Sequence, residues 1–465
     1  MKSKIAKVSA MLMAAFMLIC MLPVNMIAAD GEIPIDAEHF PDENFREFVA
    51  TGQDYETGVD IDTDGNGFLS ASEIAAVGTI EISDRGIADL AGIEYLNALT
   101  ALNCGWNELT SLDLSNNTEI ELLDCSGNRL IDLEFSNNTA LTELVCDWNE
   151  LTSLDVSHND ALETLSCYDN QLTSLDVSNN IALTELDCAV NGLTSLDVSN
   201  NTELMGLDCE MNELTSLDVS NNTLLTELWC NENQLTSLDV SNNTELTDLI
   251  CGENLLTSLD VSNNTELAWL YCSNGGLTSL DLSNNTMLEE LECAVNELTS
   301  LDLSNNTELY SLDCSDNRLT SLNLSNNTMI YEFCCDNNAY PVPASPYDLT
   351  GLPEGFDIKK ASDWQNGTVE ENILTFIDEN APAGYTYDCG NGHEAVFSLY
   401  ITDILPGDYD CSGTVNMTDA LLTLRAAMMI ETPSEQNVAN ADIDGDGVLT
   451  ASDALSVLRM SMHIS

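Results

Sequence analysis

Three twelve-residue stretches space oxygen-bearing side chains as a hard divalent cation requires. In residues 62–73, Asp62, Asp64, Asn66, Ser70 and Glu73 fall at positions 1, 3, 5, 9 and 12, with Gly67 at the sharp turn. The Phe68 carbonyl fills position 7, and Glu73 offers a bidentate carboxylate. Asp408, Asp410, Ser412, Asn416 and Asp419 repeat the spacing around Gly413, with the Thr414 carbonyl at position 7. Asp442, Asp444, Asp446, Thr450 and Asp453 repeat it again around Gly447, with the Val448 carbonyl. Oxygen donors at this spacing wrap Ca²⁺, so about three Ca²⁺ are expected per chain.

The elements that must position these loops differ. The first loop meets the EF-hand pattern at every ligand position but lacks the entering helix. Thr57 to Ile61 carries Gly and Val and reads as extended, whereas a helix is expected over Glu43 to Ala50 and an exit helix over Ala71 to Val77. The other two loops lead into expected helices, Ala420 to Ile430 and Ala454 to Met462, and both close with Asp in place of Glu. This duplicated DxDxxGxxNxxDAxxxLR pattern resembles a type I dockerin. The resemblance implies two Ca²⁺ and docking to a cohesin module of a cellulosomal scaffoldin. Its recognition positions fall on Met417, Thr418, Leu424, Arg425 and Met429 in one half, and on Ala451, Ser452, Leu458, Arg459 and His463 in the other. Leu-Arg recurs in both halves, while Met-Thr and Ala-Ser differ, so interchangeable two-way docking does not follow from the resemblance.

Between these ends the chain repeats. Cys104, Cys125, Cys146 and nine successors up to Cys335 recur every 21 residues, most in a unit that holds LxxLxΦxxN twice, with Φ apolar and Cys the first time. Alternating apolar residues point inward, no ten-residue stretch has a helical period, and each unit reads as a coil of two strands and two turns. The thiols read as free, buried small hydrophobes, because parallel Cβ vectors on adjacent strands are poorly aimed for bridging. Cys334, Cys389 and Cys411 fall outside that series, and a bridge between two of them stays open. Asn107, Asn128, Asn149 and their successors form one ladder, broken only at Gly275, and Asn117 to Asn327 form a second. This unit resembles the nested 21-residue bacterial leucine-rich repeat, which implies a solenoid stabilised by stacking and closed at both ends by caps.

The two halves of the coil carry different surfaces. The nearly invariant half stacks Asp113, Glu134, Asp155, Asp176, Asp197, Asp218, Asp239, Asp260, Asp281 and Asp302 in one column. Neighbouring carboxylates ~4.8 Å apart repel by about 0.9 kcal/mol even at the dielectric of water. Salt, cations or hydrogen bonds from flanking Ser and Thr must relieve that column. In the Cys half the outward positions vary and hold Trp106, Trp148, Trp229 and Trp269, with Tyr168, Tyr271 and Tyr310 nearby. Trp229, Ile250 and Tyr271 share a column on successive coils, and Trp269 shares a face with Tyr271, so these four are expected to form an exposed ligand face for a glycan or a protein.

Charge narrows the partners. With 11 cationic and 79 acidic side chains the formal charge is 11 − 79 = −68, or 8 − 79 = −71 without Lys2, Lys4 and Lys7. Nucleic acid and anionic membrane surfaces are repelled. Residues 1–29 read as a secretory signal: a basic start, an apolar run from Met11 to Leu22 too short to span a bilayer, and a small-residue exit at Ala28 and Ala29. Membrane insertion is not expected.

The expected fold is mainly β: a signal peptide over 1–29, an EF-hand-like N-terminal cap over 30–78, a leucine-rich-repeat solenoid of about twelve coils over 79–338, a small β module over 339–402, and an α-helical dockerin over 406–465. His393 has no spaced ligand partners and reads as a turn residue. No nucleophile elbow, His-rich metal set or phosphate loop occurs, and paired carboxylates are too frequent here to mark a catalytic pair. A secreted, extracellular, non-catalytic binding or adhesion component is the first expectation. A protein-inhibitor role, or an enzyme with its chemistry in 339–402, is the alternative.

Overall fold

The computed structural model describes residues 31–52 and 61–402, and in the C-terminal segment residues 409, 417–428, 449–451, 454, 455, 457 and 458. The chain divides after Leu196 into two compact units.

In the first unit, Ile33–Pro34 pairs antiparallel with Phe68–Leu69. Helix Glu43–Thr51 begins where the Asp42 carboxylate accepts the Asn44 and Phe45 amides and stops at left-handed Gly52. Its apolar stripe, Phe45, Phe48 and Val49, is buried with Phe40. Asp42 also accepts the Ala88 amide at 2.9 Å, and Asn44 donates to the Gly86 carbonyl at 2.9 Å. The cap is thereby tied to the chain entering the first coils. The exit helix is shorter than expected, Ala71–Ile74.

Six short parallel strands follow: Thr79–Glu81, Ala101–Asn103, Leu122–Asp124, Glu143–Val145, Thr164–Ser166 and Glu185–Asp187, each in register with the next. The second unit continues the pattern with seven, from Gly206–Asp208 to Glu332–Cys334. The central Leu or Ile of each strand is buried in every coil but the last, where Phe333 is half-buried. Burial of this kind is non-directional; register comes from the Asn ladder. The Asn128 amide donates to the carbonyls of Cys104 and Cys125, and its oxygen accepts the Leu109 amide at 3.0 Å. One side chain therefore satisfies turn groups of two coils at once.

The expectation of two strands per coil is corrected to one. In the Asp half the only pairing among the described residues is a single bridge, Glu134 to Asp155. The acidic side chain there accepts the backbone amide two residues on, as Asp155 does from Ser157 at 2.9 Å and Asp218 from Ser220 at 2.9 Å. An amide taken by its own neighbour is withdrawn from any ladder to the next coil.

The coils of the second unit end in a β module. Asn338–Val342 runs parallel to His393–Ile401, which pairs with Ala383–Gly390, which pairs with Ala361–Gln365. A second sheet joins Tyr347–Asp348, Ile373–Phe376 and Gly367–Glu370. The module plugs the last coils by hydrogen bonds: Leu324 N–H donates to Cys389 O at 2.7 Å, Tyr385 Oη to Thr320 O at 2.7 Å, and the Asn391 amide to Leu324 O. Cys389 is fully buried there, and Cys335 is among the neighbours that raise its thiol, so it extends the thiol series although it lies outside the sequence period. The fourteen described cysteines are all unbridged; Cys411 lies outside the described residues. His393 is not a turn residue but opens the last strand, edge-on to Phe333 at 5.2 Å.

Candidate functional site

The N-terminal loop brings Asp62, Asp64 and Glu73 together, with one ligand oxygen from each lying within 4.8 Å of the others. Asp62 and Glu73 are buried. Gly67, at φ 82, makes the turn that lets its amide donate to Asp62 Oδ2 at 2.9 Å. Asn66 donates to Asp64 and accepts the Phe68 amide at 2.7 Å. Burial opposes ionisation of Glu73, but hydrogen bonds from the Ser70 amide and hydroxyl and from Thr63 outweigh it and hold the carboxyl down to about 2. Ser70 is also the N-cap of helix Ala71–Ile74, in a capping box with Glu73. The donors are hard oxygens, two of them from buried carboxyl groups, which fits Ca²⁺.

At the C-terminus, helix Met417–Ala427 and the helical residues at 451, 454, 455 and 458 line an open apolar cleft of about 640 Å³. Thr418, Leu421 and Leu424 line it from one half of the duplication, and Ala451, Leu455 and Leu458 from the other. Tyr409, Ala426 and Leu449 form the buried cluster of this segment, with Leu422 packed on it. The structure thus brings four of the ten expected recognition positions, Thr418, Leu424, Ala451 and Leu458, to one cleft, and Arg425 is exposed on the same helix. Met429, Ser452, Arg459 and His463 lie outside the described residues, as does the side chain of Met417. So do Asp408, Asp410, Ser412, Thr414, Asn416, Asp442, Asp444, Asp446, Val448 and Asp453, and the side chain of Asp419; Thr450 is half-buried.

On the Cys half of the second unit, Trp229, Ile250 and Tyr271 stand opposite one another on successive parallel strands. Trp269 lies between Asp248 and Glu290 in the neighbouring column. Trp229 and Trp269 are 36% and 48% exposed. Ile250 and Tyr271 are half-buried rather than exposed, a correction with a clear cause: the Tyr271 ring lies over Gly252, where a Cβ would come within 2.4 Å of it. Burial, then the carboxylates of Glu253, Glu292 and Glu232, raise the Tyr271 hydroxyl above its usual range. Glu292 is itself raised by burial and by Asp313 and Glu290. The other carboxylate column behaves oppositely. Ser hydroxyls and amides two residues on hold Asp197, Asp218, Asp239, Asp260 and Asp281 below the usual carboxylate range.

A further aromatic cluster lies in the first unit. Trp106 and Trp148 meet at 5.3 Å, and Trp148 meets Tyr168 at 5.3 Å. Gly127 sits under Trp106 with no room for a Cβ, which would fall 2.7 Å from the indole. Trp106, Gly127 and Trp148 are successive members of one 21-residue column, and that spacing is the signal by which the cluster is legible.

Comparison with known proteins fits this geometry. Residues 406–460 match the type I dockerin domain. A 79-residue stretch is 41% identical to Internalin J of Listeria monocytogenes serotype 4b (strain F2365), covering 17% of this chain; the chain spans only about 8% of the length of that relative. The functional domain of InlJ from Listeria monocytogenes, which includes a cysteine ladder, superposes with TM-score 0.57 at 29% identity, over 80% of this chain and 99% of that one. The internalin InlF from Listeria monocytogenes str. 4b F2365 shares the fold at 22% identity and TM-score 0.55, over 66% of this chain and 98% of its own. The chain is therefore mainly β, an internalin-like leucine-rich-repeat solenoid of about twelve turns with a type I dockerin at its C-terminus. These are non-catalytic kinds of domain.

Proposed function

From a solenoid of interaction type joined in one chain to a type I dockerin, we propose a secreted, non-catalytic adaptor. Its dockerin plugs into a cohesin module of a cellulosome-like scaffoldin, and its solenoid holds a glycan or protein partner on the variable, Cys-half face. The observation that carries this reading is the dockerin match together with a cleft lined from both halves of its duplicated motif. An apolar cleft on a helix that also exposes Arg425 suits a protein surface, since desolvated apolar contact with charged residues around it is how stable interfaces are built.

Ca²⁺ belongs to the same reading. Asp62, Asp64, Asn66, Ser70, Glu73 and the Phe68 carbonyl would hold one ion, and the two C-terminal loops one each. Bound Ca²⁺ would supply charge compensation that lets short helices with little core persist. Residues 30–78 act as the cap, 79–338 as the binding solenoid and 339–402 as its closing module.

The test is retention of the full chain on immobilised type I cohesin. Arg425→Ala with Arg459→Ala should weaken retention more than either change alone, because each occupies the same place in one half of the motif. Retention untouched by the double variant would remove these two side chains from the docking face, and no calcium-dependent retention on any cohesin would overturn the adaptor reading.

A further inference from the structure

The variable face of the second unit carries two kinds of side chain in alternation. Trp269 is bracketed in register by Asp248 and Glu290, and Tyr271 by Ile250 and Glu292. With neighbouring strands ~4.8 Å apart, a group resting on the Trp269 ring has a carboxylate on either side. From Asp197 to Asn317 the sequence contains no Lys, Arg or His at all. These carboxylates therefore have no cationic side chain within their own coils, whereas Glu297, near the end of the solenoid, meets Arg318 at 3.0 Å.

We infer that this face binds an extended, lysine- or arginine-rich segment of a partner protein, with cationic side chains resting on Trp229, beside Asp208, and on Trp269, between Asp248 and Glu290. The inference rests on the reading that the variable face is where the solenoid binds, and it names the partner's chemistry. An indole face attracts a cation through its ring quadrupole, and adjacent carboxylates add to the same field. Trp229 and Trp269 are two coils apart, on the order of 10 Å, which an extended chain covers in about three residues. A neutral glycan would use the rings and leave the like charges around Glu292 unrelieved. A basic segment relieves them. The Asp-half column offers no comparable site, because no aromatic ring stands in that column.

The experiment uses the full chain with calcium. The probes are a labelled extended peptide of alternating Lys and Ser, its Glu-for-Lys counterpart, and neutral β-glucan and β-xylan oligosaccharides. The lysine peptide should bind and the glutamate peptide should not. Trp269→Ala should weaken binding by at least about tenfold, as expected of a rigid aromatic anchor, while Trp269→Phe retains part of it. Asp248→Asn with Glu290→Gln should weaken it less, and raising salt from low to several-fold physiological should cost about another tenfold. Unchanged melting temperatures establish that each variant is folded. Lysine-peptide binding that survives the Trp229→Ala, Trp269→Ala double variant overturns the inference. Binding of a neutral oligosaccharide, lost on Trp269→Ala and indifferent to salt, overturns the cationic assignment but keeps the face. If no probe of either kind depends on these tryptophans, the face itself is excluded.

Discussion

Both halves of the repeat carry carboxylates, yet some of them are held in opposite states. In the Asp half each carboxylate closes a tight turn onto the Ser two residues on, and its proton affinity falls. In the Cys half, Asp147 and Glu292, each beside further carboxylates, have theirs raised. The same charge closes turns on one side and stands beside tryptophans on the other. The side that presents tryptophans is the one proposed above to bind a partner.

The comparison breaks most sharply at the strand Glu227–Trp229, where an inward and an outward residue are neighbours. Leu228→Ala opens a cavity between stacked coils and should cost about 2–5 kcal/mol in urea unfolding. Trp229→Ala should stay within about 0.5 kcal/mol, because an outward ring is not core. Equal losses would mean that the tryptophan is a packing residue.

Asp147 sharpens it next. Burial first, then Asp187 and Asp124, push its carboxyl up to about 6 against the Ser166 hydroxyl and the Tyr168 amide, which pull it down. A carboxyl raised on folding contributes stability that is fully present below its unfolded value near 3.8 and is lost as pH rises through about 6. Asp147→Asn keeps an acceptor for both donors and removes the charge. It should raise the melting temperature at pH 7, and the gain should vanish below about pH 4. A destabilised variant at pH 7 would show that the charge is structurally required.

The smallest effect is expected at Asp218→Asn, whose amide oxygen can still accept from Ser220. The melting temperature should change little at any pH. A clear gain at neutral pH would mean that the Asp column is as unrelieved as the other face.

Much of this architecture was legible because strict spacing leaves few alternatives. The 21-residue period predicts the parallel register, the buried thiols and the Asn ladder, and twelve-residue spacing gathers Asp62, Asp64 and Glu73. Features that depend on who wins a local competition were not legible. Leu-Thr-Ser-Leu-Asp-Val alternates like a strand, but the Asp side chain captures an amide and only one strand per coil survives. Tyr271 reads as outward and folds back over Gly252, a contact visible only once adjacent coils are stacked. Cys389 lies more than fifty residues beyond the last period yet joins the thiols, because the module's topology, set by long-range pairing, delivers it there.

The proposed dockerin and solenoid attachments would hold one chain at two places by different physics. Full-length protein should be loaded on cohesin beads in calcium, together with the lysine-rich peptide, and then challenged in turn with salt and with chelator. Salt should release the peptide and leave the protein on the beads; chelator should release the protein, with its metal-dependent C-terminal helices. Protein that stays on the beads in chelator, or peptide that leaves only when the protein does, would contradict the two-attachment account.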